Sequence, residues 1–159
     1  MKSIKYIENW IIMEKQFIVR DYTNDDFEKL NLLWKETGLG GSQRGDNAQI
    51  IDDSLKIGGK LILIENKKTG EIIGSSWMTF DGRRIHLHHI GVLPTYQNRG
   101  FGKLLTTESL RFAKEKGYQI KLEVHQANKK AIEIYKKLGF TFLGDYDVYI
   151  VRDLDTIQF

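Results

Sequence analysis

The stretch Gln97-Asn98-Arg99-Gly100-Phe101-Gly102-Lys103 constrains this chain more than any other. It lies between a β-like run, Ile85 to Val92, and a helical run that opens near Gly102. A strand that passes through a glycine-rich turn into a helix leaves the first N–H groups of that helix without intrahelical acceptors. Those donors, the positive end of the helix dipole, and the side chains of Arg99 and Lys103 together suit a phosphate or pyrophosphate. Gly100 and Gly102 let the backbone approach such an anion with no Cβ in the way. A Gly-x-Gly turn alone says little. A second segment, running from Val124 through Asn128, Ala131 and Tyr135 to Gly139 and Phe140, gives it weight.

Length and composition narrow the class. A chain of 159 residues, 41% hydrophobic and 28% charged, has the size and make-up of one globular domain with a real core. No apolar run approaches the length of a membrane span. Residues Met1 to Met13 mix Ile4, Tyr6, Ile7, Trp10, Ile11 and Ile12 with charged and polar residues, and lack both a clean apolar core and a small-residue cleavage site. The chain therefore reads as cytoplasmic, without a membrane partner. The absence of cysteine removes disulfides, zinc–thiolate sites and cysteine nucleophiles. A net charge of +3 is too slight to argue for nucleic acid.

Along the chain, Gln16 to Tyr22 reads as a strand. Thr23 or Asn24 caps a helix in which Phe27, Leu30, Leu33 and Trp34 recur at helical spacing, and Gly38 to Ser42 breaks it. A weaker helix spans about Asp46 to Lys56. Lys60 to Asn66 and Glu71 to Phe80 pair around Lys68-Thr69-Gly70. Asp81-Gly82 is a hairpin signal that turns the chain into Ile85 to Val92. The helix after the glycine loop ends at Gly117, Gln119 to Val124 is a strand, and Asn128 caps a helix that stops at Gly139. Phe140 to Arg152 supplies one or two final strands. The order is β-α-α-β-β-β-α-β-α-β-β, an α/β fold. Residues 1–14 stand outside it as an extension, and residues 15–159 form a single domain.

The two segments together resemble the GNAT superfamily of acyl-CoA-dependent N-acyltransferases. Gln97, Gly100 and Gly102 match its pyrophosphate loop. Val124, Asn128, Ala131, Tyr135, Gly139 and Phe140 match its second motif. The likeness covers residues 17 to 154 and extends, through Trp34 to Leu39 and Trp77 to Arg84, to a bacterial YpeA-like subgroup. It implies a mixed, mostly antiparallel central sheet flanked by helices, acetyl-CoA as cosubstrate, and a primary amine as acceptor. The amine can be a small molecule, a protein N-terminus or a lysine. Dimers are frequent in the superfamily, so a homodimer stays open.

The resemblance also assigns roles by position. Gln97, Asn98, Arg99, Gly100, Phe101, Gly102 and Lys103 form the pyrophosphate-binding segment. The backbone of Ile90 and Val92 holds the pantetheine arm, although both residues also read as buried strand. The Val92 N–H is the candidate oxyanion donor. Asn128 reads on its own as a helix N-cap, and by resemblance also bonds the cofactor. Tyr135 lies on a stripe with Ala131, Ile134 and Leu138, which reads as core. By resemblance its hydroxyl stands by the thioester sulfur as general acid for a thiolate of pKa about 8.5. Lys129, Lys130, Lys136 and Lys137 read either as a solvated helix face or as contacts to the phosphates of coenzyme A.

The general base is the least specified group. Many relatives use a glutamate from a central strand, whereas here the strand before the loop carries His86, His88 and His89, and Glu123 and His125 follow on its partner. Histidine titrates near neutrality and suits removal of a proton from an ammonium group. Alternation puts His86 and His88 on one face and His89 opposite, unless a bulge intervenes. His88 is favoured, with Glu123 second. Two alternating histidines without a third ligand are weak metal evidence, so no metal is expected. Acceptor specificity should come from the first helices and the loop Gly38 to Asp46, with Arg44, Arg83 and Arg84 available to an acidic group. Two further readings compete: an inactive acyl-CoA-binding sensor module, and a nucleotide-binding protein. The second lacks G-x-x-x-x-G-K-[ST] and an acidic ribose ligand.

Overall fold

Runs of Ile, Leu and Val bounded by glycine turns build the sheet that their pattern dictates. In the computed structural model, which describes residues 15–40, 44–144 and 147–157, five strands are formed. They are β1 (Phe17–Asp21), β2 (Lys60–Asn66), β3 (Ile72–Phe80), β4 (Ile85–Val92) and β5 (Ile120–Leu122), in spatial order β1-β2-β3-β4-β5. The first three junctions are antiparallel and β4–β5 is parallel. A parallel pair needs a crossover, and α3 (Phe101–Lys116) supplies it. The other helices are α1 (Phe27–Glu36), α2 (Ala48–Lys56) and α4 (Lys129–Lys137). The extension at residues 1–14 and loop residues 41–43 lie outside the described residues. No helix among the described residues is long and apolar enough to cross a membrane.

β3 is the centre of the molecule, buried from Ile72 to Met78 because helices cover both of its faces. Side chains alternate across a strand, so Ser75 and Trp77 look toward α1 and α2, and Ser76 looks toward α3. The partners agree. Trp34 Nε1 donates to Ser75 Oγ at 3.0 Å, Trp77 Nε1 donates to Ser54 Oγ at 2.9 Å, and the Ser76 and Ser109 hydroxyls lie 2.8 Å apart. The two indoles stack at 5.8 Å. Leu30, Leu33, Ile51, Leu61, Leu63 and Ile73 fill the space around them.

Helix starts follow local chemistry. A 3₁₀ turn at Asn24–Asp26 precedes α1, and Asp26 accepts from the Thr23 N–H at 2.9 Å and from Arg20 at 2.7 Å through both carboxylate oxygens. Arg20 first, then the Thr23 donors, hold this buried carboxyl at about 2. Asn47 caps α2, accepting from the Ile50 N–H at 3.0 Å.

Two expectations fail at the C-terminal side. β5 is only three residues long instead of reaching Val124. Phe140 to Arg152 forms no final strand among residues 140–144 and 147–152. Its aromatic and β-branched residues favour extended backbone, but propensity needs a ladder to act on, and the short β5 edge offers little of one. Phe142 is accordingly 81% exposed and Tyr149 88%.

Gly59 closes the α2–β2 junction. A Cβ there would sit 2.6 Å from the Ser54 carbonyl oxygen and 2.7 Å from that of Met78, both backbone atoms that cannot step aside. Gly59→Ala is expected to cost roughly 1–3 kcal/mol by overpacking, and urea unfolding of the variant checks it.

Candidate active site

Two pairings slip in register: β2–β3 between Ile64 and Glu65, and β3–β4 beside the site. Trp77 pairs with His88 and Ser75 with Gly91, so Ser76 alone stands against His89 and Ile90. This is a bulge on β4. His89 adopts φ +45°, a left-handed conformation that costs a non-glycine residue on the order of 1–3 kcal/mol and must be held in place. Ser75 Oγ donates to the His89 carbonyl at 3.3 Å while accepting from Trp34. The His89 ring lies 4.6 Å from Trp34 and 5.5 Å from Trp77. Its Nε2 stands 3.0 Å from Asp46 Oδ2, near enough for an ion pair when protonated but not aligned as a hydrogen bond. Burial pushes this imidazole down, against the pull of Asp46 and with the help of Arg44.

The bulge changes which backbone groups face β5. Before it, Ile85 and Leu87 pair with Ile120 and Leu122. After it, the Leu93 N–H donates to the Ile73 carbonyl at 2.9 Å, which places Leu93 toward β3. By the alternation of an antiparallel ladder, Val92 and Ile90 then point away from β3. β5 has already ended at Leu122, so they point into a gap. The Val92 carbonyl is satisfied by Gln97 Nε2 at 3.0 Å, a side-chain amide standing in for the missing strand.

The gap is a cleft of about 300 Å³. It is lined by His86, His88, His89 and Ile90 from β4, by Lys121, Glu123, Val124 and His125 from β5 and its continuation, by Asn128 and Tyr135, and by Leu39 and Arg44. The bulge also puts His89 on the Trp77 side of the sheet, beside His88, with their rings 6.5 Å apart. His88 Nε2 shares a 2.9 Å hydrogen bond with Thr79 Oγ1. Its imidazole is pushed down to about 4, first by loss of water and then by His89 and His86. Burial pushes the Tyr135 phenol up. Asn128 Oδ1 accepts from the Ala131 N–H at 3.2 Å, so the cap is formed on the cleft wall. His86 Nε2 reaches Asp81 Oδ2 at 3.3 Å. Among the described residues no group of three or more carboxylates and histidines is arranged around a metal position.

The glycine loop adjoins this cleft without lining it. Gly100 takes φ +95° as the residue before α3, and the first helical bond runs from the Leu104 N–H to the Gly100 carbonyl at 2.9 Å. The N–H groups of Phe101, Gly102 and Lys103 therefore precede any intrahelical acceptor. A Cβ on Gly102 would meet only Ile134 Cδ1 at 3.9 Å, so the space above the turn is open. Asn98, at φ +61°, accepts from Lys130 Nζ at 3.1 Å, and Arg99 donates to the Thr95 carbonyl at 3.0 Å while lying over Tyr96. Of the three arginines considered for an acidic group, Arg44 lines the cleft. Arg83 and Arg84 stay in the β3–β4 hairpin. Leu39 lines the cleft and Asp46 meets His89, both within the loop Gly38 to Asp46 expected to shape acceptor choice, whereas Lys121 is not among the residues the sequence singles out. Strand alternation from Glu123 would have pointed to Lys121.

Comparison with known proteins gives this geometry its context. The model of the acetyltransferase (GNAT) family matches residues 19–140. An acetyltransferase of Yersinia pestis is 29% identical over 123 residues, 77% of this chain and 86% of the relative. Among solved structures, a Trypanosoma brucei acetyltransferase superposes with a TM-score of 0.66 at 22% identity, covering 87% of this chain and 99% of that one. The structure of AAC(6')-Iy in complex with the bisubstrate analogue CoA-S-monomethyl-acetylneamine gives a TM-score of 0.68 at 20% identity, over 86% and 99% of the two chains.

Ser75 is the support on which the bulge rests. Ser75→Ala removes both the acceptor of the buried Trp34 N–H and the donor to the His89 carbonyl. It is expected to lower stability by roughly 1–3 kcal/mol, measured by denaturant unfolding.

Proposed function

Since the chain belongs to the GNAT family of acetyltransferases, we propose that it moves an acetyl group from acetyl-CoA to a primary amine by direct attack within the β4–β5 cleft. One observation carries this reading. A single cleft gathers Tyr135, His88 and Glu123 beside a stretch of β4 backbone that no strand occupies. The residues suit the cosubstrate at both ends. The Phe101, Gly102 and Lys103 N–H groups with Arg99 offer a pyrophosphate cradle. The free edge at Ile90 and Val92 offers amide groups to an extended arm, as an added strand would use them.

Bound acetyl-CoA supplies the acetyl group as a thioester, whose C–S bond breaks as the new C–N bond forms. The Val92 N–H, turned into the gap, donates to the charge that develops on the carbonyl oxygen. His88 is neutral above about pH 4 and takes the proton that the amine nitrogen sheds. Glu123, on the same wall, draws the incoming ammonium group. Tyr135, kept protonated by its burial, gives its proton to the leaving sulfur. Asn128 fixes the start of the helix that carries Tyr135.

Release of free thiol from acetyl-CoA in the presence of amines, beside a thermal shift with CoA, tests the reading as a whole. Tyr135→Phe is expected to lower kcat by about 10²-fold or more with CoA affinity nearly unchanged. Equal turnover would remove Tyr135 from the mechanism. His88 acts in its neutral form, which predominates above its lowered value. The acid limb of kcat/KM is therefore expected near pH 4, and a limb between pH 6 and 7 would exclude this role for His88.

A further inference from the structure

We infer that the acceptor is a primary amine that also carries an anionic group, a carboxylate or a phosphate, and not a polyamine or an aminoglycoside. The inference rests on the acetyl-transfer reading above and concerns the acceptor side of the same cleft.

The lining carries two basic side chains, Arg44 and Lys121, and one acidic side chain, Glu123. Among the described residues no carboxylate pairs with either cation, although the protein pairs its cations elsewhere, as at Arg20 with Asp26 and Arg111 with Glu108. The acid nearest Arg44 in sequence, Asp46, is turned to His89 Nε2. Lys121 and Glu123 are two residues apart and so share one face of β5 and its continuation. Lys121 is the register partner of His86, on the face that also carries His88. Arg44 approaches from the segment between α1 and α2, close enough to His89 to oppose its protonation.

Lys121 is badly placed to serve the cosubstrate's phosphates. The phosphate cradle begins past Val92, whereas Lys121 stands at the level of His86. Six residues of strand separate the two, roughly 20 Å. The surface near the reacting groups thus pairs one carboxylate, suited to the ammonium group, with two cations that no carboxylate pairs among the described residues. An amine bearing an anion satisfies all three. A polycation satisfies Glu123 and sets its remaining charges against Arg44 and Lys121, an arrangement that discriminates by repulsion as well as attraction.

The test uses matched amines on the full chain: L-amino acids against their decarboxylated amines, phosphoethanolamine against ethanolamine, and glucosamine 6-phosphate against glucosamine, with spermidine as the polycation. Thiol release from acetyl-CoA and the additional thermal shift over CoA alone are read together. At least one anionic member should exceed its uncharged or cationic counterpart by about tenfold or more in kcat/KM, as expected of a site built around a polar group. Which pair responds separates carboxylate from phosphate. Arg44→Gln and Lys121→Gln should erase that preference by raising KM for the anionic member, while the shift caused by CoA stays as in the parent. Preference for spermidine or the neutral members, or an anionic preference that survives both substitutions, overturns the inference and leaves acetyl transfer standing. So does a CoA shift to which no anionic amine adds. Absence of any CoA shift overturns the acetyl-transfer reading itself.

Discussion

The extra residue in β4 is the constraint around which the active region is arranged. A regular ladder from Ile85 to Leu93 would keep one set of amides facing β3 and the alternate set facing β5. The bulge at His89 shifts that phase by one residue, so Ile90 and Val92 face outward in place of His89 and Gly91. The same shift rotates the His89 ring onto the Trp34–Trp77 side. A strained residue persists only where its surroundings over-determine it. Here Ser75, two indoles and Asp46 do so from β3, α1 and the segment before α2.

That support ties the cleft to the core. Trp34 is 2% exposed and Trp77 3%, and each spends its one N–H on a serine hydroxyl, Ser75 or Ser54. A buried donor without an acceptor is costly, so these serines fix where the indoles can lie. The indoles in turn wall the histidines and strip water from them, the largest cause of the lowered His88 value. Packing behind the cleft wall thereby favours the neutral form of a group inside it.

Much of this was legible in the residues. Period-two runs located four strands closely, and the Asp81-Gly82 signal located the hairpin, because both depend on local chemistry. Asn128 and Tyr135 come from the second motif and His88 and Glu123 from the two strands expected to flank the cleft, and all four line it. Less legible was whatever depends on distant partners. The bulge is set by Ser75 and Trp34 acting across the sheet, so alternation alone left the side of His89 open. The final strands expected over 140–152 are not formed among the described residues, where strand composition finds no ladder to join. Asp46 and Lys121 acquire their meaning only when the α1–α2 segment and β5 flank the same gap.

A strand usually offers a neighbour either its edge or its face. β4 offers both, and to different neighbours: the backbone edge at Ile90 and Val92 opens toward the proposed cosubstrate, while the face carrying His86, His88 and His89 looks toward the proposed acceptor. Backbone amides are indifferent to which side chains they bear. Substitutions on the face can therefore retune acceptor choice without disturbing the edge, provided that Ser75 and its partners keep the phase. Such a division lets one scaffold diversify its chemistry by altering side chains on a few alternate positions, with cosubstrate recognition inherited unchanged.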